Sequence, residues 1–397
     1  MPINTVSLLW QFNKRKISTM ENEKFKKIFI ITGEYSGSMH AVRVAECLKN
    51  LNPDLVIEGI GDENLEKAGV KLFENHSKMS AVGLSPKIIF NHLLLGKRLV
   101  DYLTKEYKPD LVLMIDYGAF NLSVSKFLKR NGIKTFYYIP PQVWASRKWR
   151  INTIKKNIDK VLCIFPFEVE MYRSMGIDVH YCGHPLVKQL PEKADRDEFF
   201  EKHGLDKSKK LVSIFPGSRT FELKYLMQLF IKSAKTLQKK HSDIQFVISH
   251  APNLSEEDYN KYLKGDRAFK IIKGENQALL SVSDGLILAS GTVALESALY
   301  QVPMIISYRG PWLFYFIYLL VRCIKKVSLP NIIMDKFIVP ELIQGKATVK
   351  NISTEIEKII YDENYRKNYI DDLGKVKEKL SDKYSAQEVA NTIIDNI

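Results

Sequence analysis

A repeated rhythm of short apolar runs, separated by helix-length segments, constrains this chain more than any other feature. From Lys27 the runs read KIFIIT, DLVIEGIG, DLVLMID, KTFYYI, KVLCIF and DVHYCG. Continuous apolar runs of strand length, alternating with amphipathic helical stretches, predict parallel strands covered by helices on both faces. The rhythm pauses at Gly183-His184-Pro185 and the charged segment EKADRDEFFEKHGLDKSKK, then restarts as LVSIF, IQFVIS, FKIIKG, GLILAS and PMIIS. The fold class is therefore α/β, with two Rossmann-like doubly wound domains. A chain of 397 residues is long enough for two such cores. The expected boundaries are an extension over 1–26, a first domain over 27–185, a second over 186–350 and a helical tail over 351–397. The tail ends in SAQEVANTIIDNI, whose apolar residues recur at helical spacing, so it is expected to dock on another surface.

The extension is expected to be disordered and carries no apolar core of signal-peptide length, so export is not expected, and Met20 is an alternative start to Met1. Cys47, Cys163, Cys182 and Cys323 lack C-x-x-C spacing, and the eight histidines form no ligand-spaced cluster. Neither a disulfide framework nor a zinc site is indicated, and a reducing cytoplasm fits best. The formal charge of +14 suits nucleic acid, an anionic membrane face or phosphorylated substrates. Much of it is lysine on helical faces, for which a solvated surface is the plain alternative. Two apolar runs lie beside cations: WLFYFIYLLV over 312–321, led by Trp312, and IIFNHLLLGKRLV over 88–100. Both are too short to span a bilayer, which takes about twenty residues. They suit either the membrane interface or the core.

Residues 286–309, LILASGTVALESALYQVPMIISYR, carry the most functional information. A buried strand breaks at Ser290-Gly291-Thr292 and an amphipathic helix follows. Small side chains there let anionic groups approach backbone N–H donors, and Glu296, one turn on, is placed to accept ribose hydroxyls. An ordinary crossover with a Ser or Thr cap and a solvated Glu296 is the competing reading. Gly33-Glu34-Tyr35-Ser36-Gly37 and Phe215-Pro216-Gly217-Ser218-Arg219 follow the first strands of the two domains, where open α/β sheets bind ligands. Neither is a dinucleotide or Walker loop. Arg219 is placed to fork onto a diphosphate. Asp116 ends the strand LVLMID and either faces the crevice or caps the next helix.

Together these segments resemble the lipid-A-disaccharide synthase family (glycosyltransferase family 19 type). The resemblance runs from about Lys27 to Gln344 through GEYSG, GIGDENLEKAG, MSAVGLSP, IDYGAFN, YYIPPQVWASR, FPFE, GHPL, FPGSR, SGTVALE, SLPNII and PELIQ in order. It implies a GT-B-like arrangement in which the two domains face a cleft, with the UDP-sugar held mainly by the second domain and the acyl acceptor by the first. The implied reaction is inverting transfer from UDP-2,3-diacylglucosamine to 2,3-diacylglucosamine 1-phosphate, giving lipid A disaccharide 1-phosphate and UDP. No cofactor, metal or nucleic acid is implied, and a homodimer is allowed for. The implied location is cytoplasmic, peripheral on the anionic inner face of a bacterial inner membrane. Carried over by motif, Asp116 is the base and Arg219 the diphosphate partner, with Glu34 the next candidate acid. Gly217, Ser218, Ser290, Gly291, Thr292 and Glu296 form the UDP-sugar set, and Ser36, Asn121, Trp144, Arg147 and Trp312 the acceptor and membrane set. The chain departs from the family pattern at Ser38 and Ala119, where acids are usual, at Pro86-Lys87, where a nearby Glu is replaced, and at PPQVWASR. All of these lie in the first half. A UDP-N-acetylglucosamine 2-epimerase, a member with another acceptor and a lipid- or UDP-binding protein without turnover are the alternatives.

Overall fold

A computed structural model describes residues 25–33, 35–76, 86–266, 268–289, 291–312, 315, 319 and 323–397; side chains of 86–89 are outside the description. The strands are β1 Lys27–Ile31, β2 Val56–Gly61, β3 Lys71–Asn75, β4 Leu111–Ile115, β5 Thr135–Tyr138, β6 Lys160–Cys163 and β7 Val179–Tyr181 in the first half. The second half holds β8 Lys210–Phe215, β9 Ile244–His250, β10 Lys270–Lys273, β11 Gly285–Leu288, β12 Met304–Tyr308 and β13 Glu341–Ile343. They form a seven-stranded sheet in the order β3-β2-β1-β4-β5-β6-β7 and a six-stranded sheet in the order β10-β9-β8-β11-β12-β13. Every pairing is parallel, as at β1 with β4 and β8 with β11. Central strands such as Leu111–Ile115 are buried along their whole length, which is why they read as unbroken apolar runs. The apolar rhythm misses β3 and β13. Both are edge strands, half-buried, with KLFEN and ELI in place of apolar runs.

In each sheet the strand order reverses once, between β1 and β4 and between β8 and β11. Crevices for ligands open at these reversals, beyond the carboxyl ends of the strands. The tail divides between the two sheets. Helices Val349–Tyr361 and Glu363–Lys379 pack on the second one, where the buried Tyr369 hydroxyl donates to the Met304 carbonyl and Ser353 to the Ser233 carbonyl at 3.3 Å. The chain then crosses back. Helix Ser385–Ile394 packs on helix Tyr35–Leu51, and Ser385 Oγ lies 2.7 Å from the Tyr138 hydroxyl of β5. Tyr181 donates to the Leu380 carbonyl at 2.5 Å beside this crossing, and any Cβ on Gly183 would lie 2.8 Å from the Lys383 Cβ. His184, in the connection between the sheets, is buried and accepts from the Leu186 N–H at 3.2 Å. Burial, and then the charge of His40, hold its imidazole down to about 3, so it stays neutral.

Candidate active site

The first-domain crevice is built on an unusual turn. After β4 the chain passes through Asp116 and Tyr117 with φ of 49° and 54°, both left-handed without glycine. Such residues cost about 1–2 kcal/mol each and persist only where the surroundings hold them. Here the Asp116 carbonyl accepts from the Tyr137 hydroxyl at 2.6 Å and from Asn121 Nδ2 at 2.8 Å, while the Asp116 N–H donates to the Tyr138 carbonyl at 3.2 Å. The Tyr117 ring lies over Gly33 and stacks on Phe120 with ring centres 4.9 Å apart. Asn121 is wholly buried and holds the backbone under Asp116. Helix Gly118–Arg130 begins directly after the turn, and Tyr117, at its N-cap, makes no side-chain cap.

On the other side of this crevice Ser36 is exposed, whereas Ser38 is buried and donates to Asp62 at 2.6 Å. Position 38 therefore belongs to a buried pair. A carboxylate there would face another carboxylate, which accounts locally for the serine. Glu34 lies outside the described residues. Trp144 belongs to the loop that follows β5. Its indole N–H donates to Glu168 at 2.9 Å, and its ring meets Phe167 edge-on with centres 5.2 Å apart. Glu168, the acid of FPFE, is buried and also accepts the Phe165 N–H at 3.2 Å. Burial pushes its carboxyl up to about 7 despite these donors. Arg147, three residues past Trp144, is exposed and left-handed at φ 52°.

In the second-domain crevice, the loop after β8 already holds an anion of the protein's own. Glu222 takes the Ser218 N–H at 2.8 Å and the Arg219 N–H at 3.2 Å, and pairs loosely with the Arg219 guanidinium at 3.4 Å. Gly217 has φ 109°, and a Cβ on it would lie 2.2 Å from the Glu222 carboxylate. The Arg219 side chain is 78% exposed and so is free to swing. The sequence signal for this self-capping is Arg219-x-x-Glu222, a helix-start spacing in which the acid reaches back to the N-cap N–H. After β11, Gly291 and Thr292 are exposed, and Thr292 stands at the start of helix Val293–Leu299 without a side-chain cap. Ser290 lies outside the described residues. Glu296 is half-buried, with Gln277 as its hydrogen-bond partner, and burial raises its carboxyl above the ordinary value.

The two domains meet at a cleft whose lining includes Trp144, Gly291 and Thr292 but not Asp116, Arg219 or Glu296. This cleft of about 310 Å³ is lined by Gln142, Trp144 and Ala145 from the first domain and by Gly291, Thr292 and Leu329 from the second, with Lys326 and the apolar Ile324, Val327 and Ile332 beside them. The Cys323 N–H donates to the Ala145 carbonyl at 3.1 Å across it. Trp312 is exposed and packs edge-on against Tyr315, while most of 313–322 lies outside the described residues. In helix Pro86–Tyr102, Leu95 and Leu99 are buried, but Phe90, Leu93 and Leu94 face outward. Arg98 on this helix is paired with Glu74 at 3.1 Å.

Two doubly wound parallel sheets with a cleft between their domains define a protein of GT-B-like fold. Solved structures with this fold include the UDP-GlcNAc 2-epimerase of Neisseria meningitidis bound to UDP-GlcNAc, with a TM-score of 0.64 at 13% identity over 93% of this chain and 100% of that one. Another is the glycosyltransferase of kitacinnamycin, also at 0.64, with 10% identity over 94% of this chain and 100% of that one. At such identities they speak for the fold alone. The chain belongs to the lipid-A-disaccharide synthetase family, whose sequence profile matches residues 28–394. It is 34% identical to the lipid-A-disaccharide synthase of Coxiella burnetii (strain CbuG_Q212) over 370 residues, 93% of this chain and 98% of that one. The enzyme of Geobacter metallireducens is 33% identical over 93% of this chain and 97% of its own length. The chain is thus a glycosyltransferase of lipid A disaccharide synthesis.

Proposed function

We propose that the enzyme transfers a diacylglucosaminyl unit, with inversion, from UDP-2,3-diacylglucosamine to the 6-hydroxyl of 2,3-diacylglucosamine 1-phosphate. The acceptor oxygen attacks the anomeric carbon, the bond from that carbon to the diphosphate breaks, and UDP leaves. In this reading Asp116 takes the acceptor proton, with Glu34 the next candidate. The second domain holds UDP through Gly217, Ser218, Ser290, Gly291, Thr292 and Glu296, and Arg219 swings from Glu222 to meet the charge that develops on the leaving diphosphate. Ser36, Trp144 and Arg147 line the acceptor side, and Asn121 serves it indirectly by holding the Asp116 turn. The observation that carries the reading is the shared cleft, where Trp144 of one domain lies with Gly291 and Thr292 of the other. Attack on the face opposite the leaving group needs groups from two sides of one cleft.

Acylated substrates live in a bilayer, so the enzyme visits one. The outward Phe90, Leu93 and Leu94, with Trp312, support peripheral docking on an anionic inner-membrane face. No helix among the described residues is long and apolar enough to cross a membrane. A homodimer belongs to the same proposal. The decisive test is UDP release from the two acylated substrates in mixed micelles, comparing the natural chain with Asp116→Asn. Loss of the base lowers turnover by ~10²–10⁴ with UDP affinity unchanged. An active, stable Asp116→Asn enzyme would remove Asp116 as the base and turn attention to Glu34.

A further inference from the structure

The loop that carries Trp144 continues through Arg147-Lys148-Trp149-Arg150 into helix Arg150–Asn157. Arg150 is half-buried, and its Nη1 lies 3.3 Å from where a Cβ on Gly118 would stand, so the guanidinium sits against the first residue after the Asp116–Tyr117 turn. Arg147 is close enough for its charge to act on it. Burial first, and then Arg147, depress the Arg150 guanidinium below the ordinary arginine value. Neither side chain has a hydrogen-bonding or acidic partner among the described residues. Elsewhere Arg98, Arg196 and Arg219 pair with Glu74, Asp284 and Glu222. Two like charges held together, one of them partly desolvated and neither neutralised, are unfavourable unless an anion arrives between them.

We infer that Arg150, with Arg147, binds a phosphate monoester, the 1-phosphate of the acceptor sugar. The inference rests on the acceptor proposed above. In a glucosamine 1-phosphate the 6-hydroxyl and the 1-phosphate flank the ring oxygen, so a base and a cation that serve both must lie within one sugar ring of each other. Arg150 against Gly118, two residues from Asp116, meets that demand. Two guanidinium forks also suit the three terminal oxygens of a phosphate monoester. The site would thus select phosphorylated acceptors and orient the 6-hydroxyl toward Asp116.

The test compares 2,3-diacylglucosamine 1-phosphate with 2,3-diacylglucosamine as acceptors, at saturating UDP-sugar, for the natural chain, Arg150→Gln, Arg150→Lys and Arg147→Gln. The natural enzyme should prefer the phosphorylated acceptor in kcat/KM. In Arg150→Gln the KM for that acceptor should rise about ten- to a hundredfold and the preference should collapse, while the KM for the UDP-sugar stays put. Arg150→Lys should recover part of the preference. Should Arg150→Gln fail to fold, judged by Tm and UDP affinity, the exposed Arg147→Gln carries the same reading. An unchanged preference in the folded variants overturns the inference, as does a rise confined to the KM of the donor. Loss of pelleting with phosphatidylglycerol vesicles without loss of preference also overturns it and assigns the pair to lipid headgroups. Absence of turnover by the natural chain would instead strike the acceptor reading itself.

Discussion

Gly33→Ala tests how the Asp116–Tyr117 turn is built. The new methyl carbon would lie 2.1, 2.2 and 2.4 Å from three carbons of the Tyr117 ring. Carbon atoms settle near 3.5 Å or beyond, so the ring must retreat by roughly 1 Å. It has little room, because it already stacks on Phe120 at 4.9 Å and tilts against His92 at 5.9 Å. The displacement therefore passes into the backbone of Tyr117 and of Asp116, both already left-handed. Overpacking of this kind costs about 1–3 kcal/mol. A catalytic group misplaced by about 1 Å loses roughly 10² in rate. Thermal melting, UDP release in mixed micelles and UDP calorimetry should show lower Tm, turnover down about a hundredfold and nucleotide affinity unchanged, since the proposed UDP residues lie on the other sheet. Tyr117→Ala removes the ring, so in that background Gly33→Ala should cost little stability. If the two changes add independently in melting experiments, the contact is not what requires glycine and the reasoning fails.

Arg219→Ala should lower UDP release by about two orders of magnitude or more, the effect of one lost charged donor at a leaving group. Its Tm should hardly move, because the ion pair to Glu222 is long and its arginine 78% exposed; near-normal turnover would take Arg219 out of the mechanism. Glu296→Ala should weaken UDP binding about ten- to a hundredfold by calorimetry. Unchanged affinity would leave Glu296 as a helix residue tied to Gln277. The Glu168 carboxyl, at about 7 in the fold against an ordinary 4.5, makes stability depend on pH in a definite direction. Its contribution is fully present below pH ~4.5 and is lost as pH rises toward 7, where the unfolded chain ionises first, a change of ~3 kcal/mol. Urea melts at pH 5 and pH 8 should show that slope in the natural chain and its loss in Glu168→Gln; equal slopes would mean that the carboxyl ionises normally.

The sequence alone determined the two α/β domains, because the strands that build their centres are buried on both faces and must be unbroken apolar runs. It also located the strand–turn–helix junctions. Gly33, Asp116, Gly217, Arg219 and Gly291 follow the ends of β1, β4, β8 and β11, so a local strand–turn–helix pattern was enough to place them beyond the carboxyl ends of their strands. Its motif order carried the family. The edge strands β3 and β13 were hidden because half-burial leaves no apolar run. Only the tertiary structure decided what each site residue is attached to. Glu222 fills the donors of the loop after β8, Asn121 spends its amide on the Asp116 carbonyl, and Glu168 holds Trp144 from 24 residues away. The last helix leaves the second sheet and returns to helix Tyr35–Leu51, more than 300 residues earlier in the chain. Such partnerships depend on burial and on side chains that converge from distant segments, and local spacing does not encode them. The same holds for Arg150, one basic residue among many in the sequence, whose lack of a counterion among the described residues becomes visible only once its neighbours are in place.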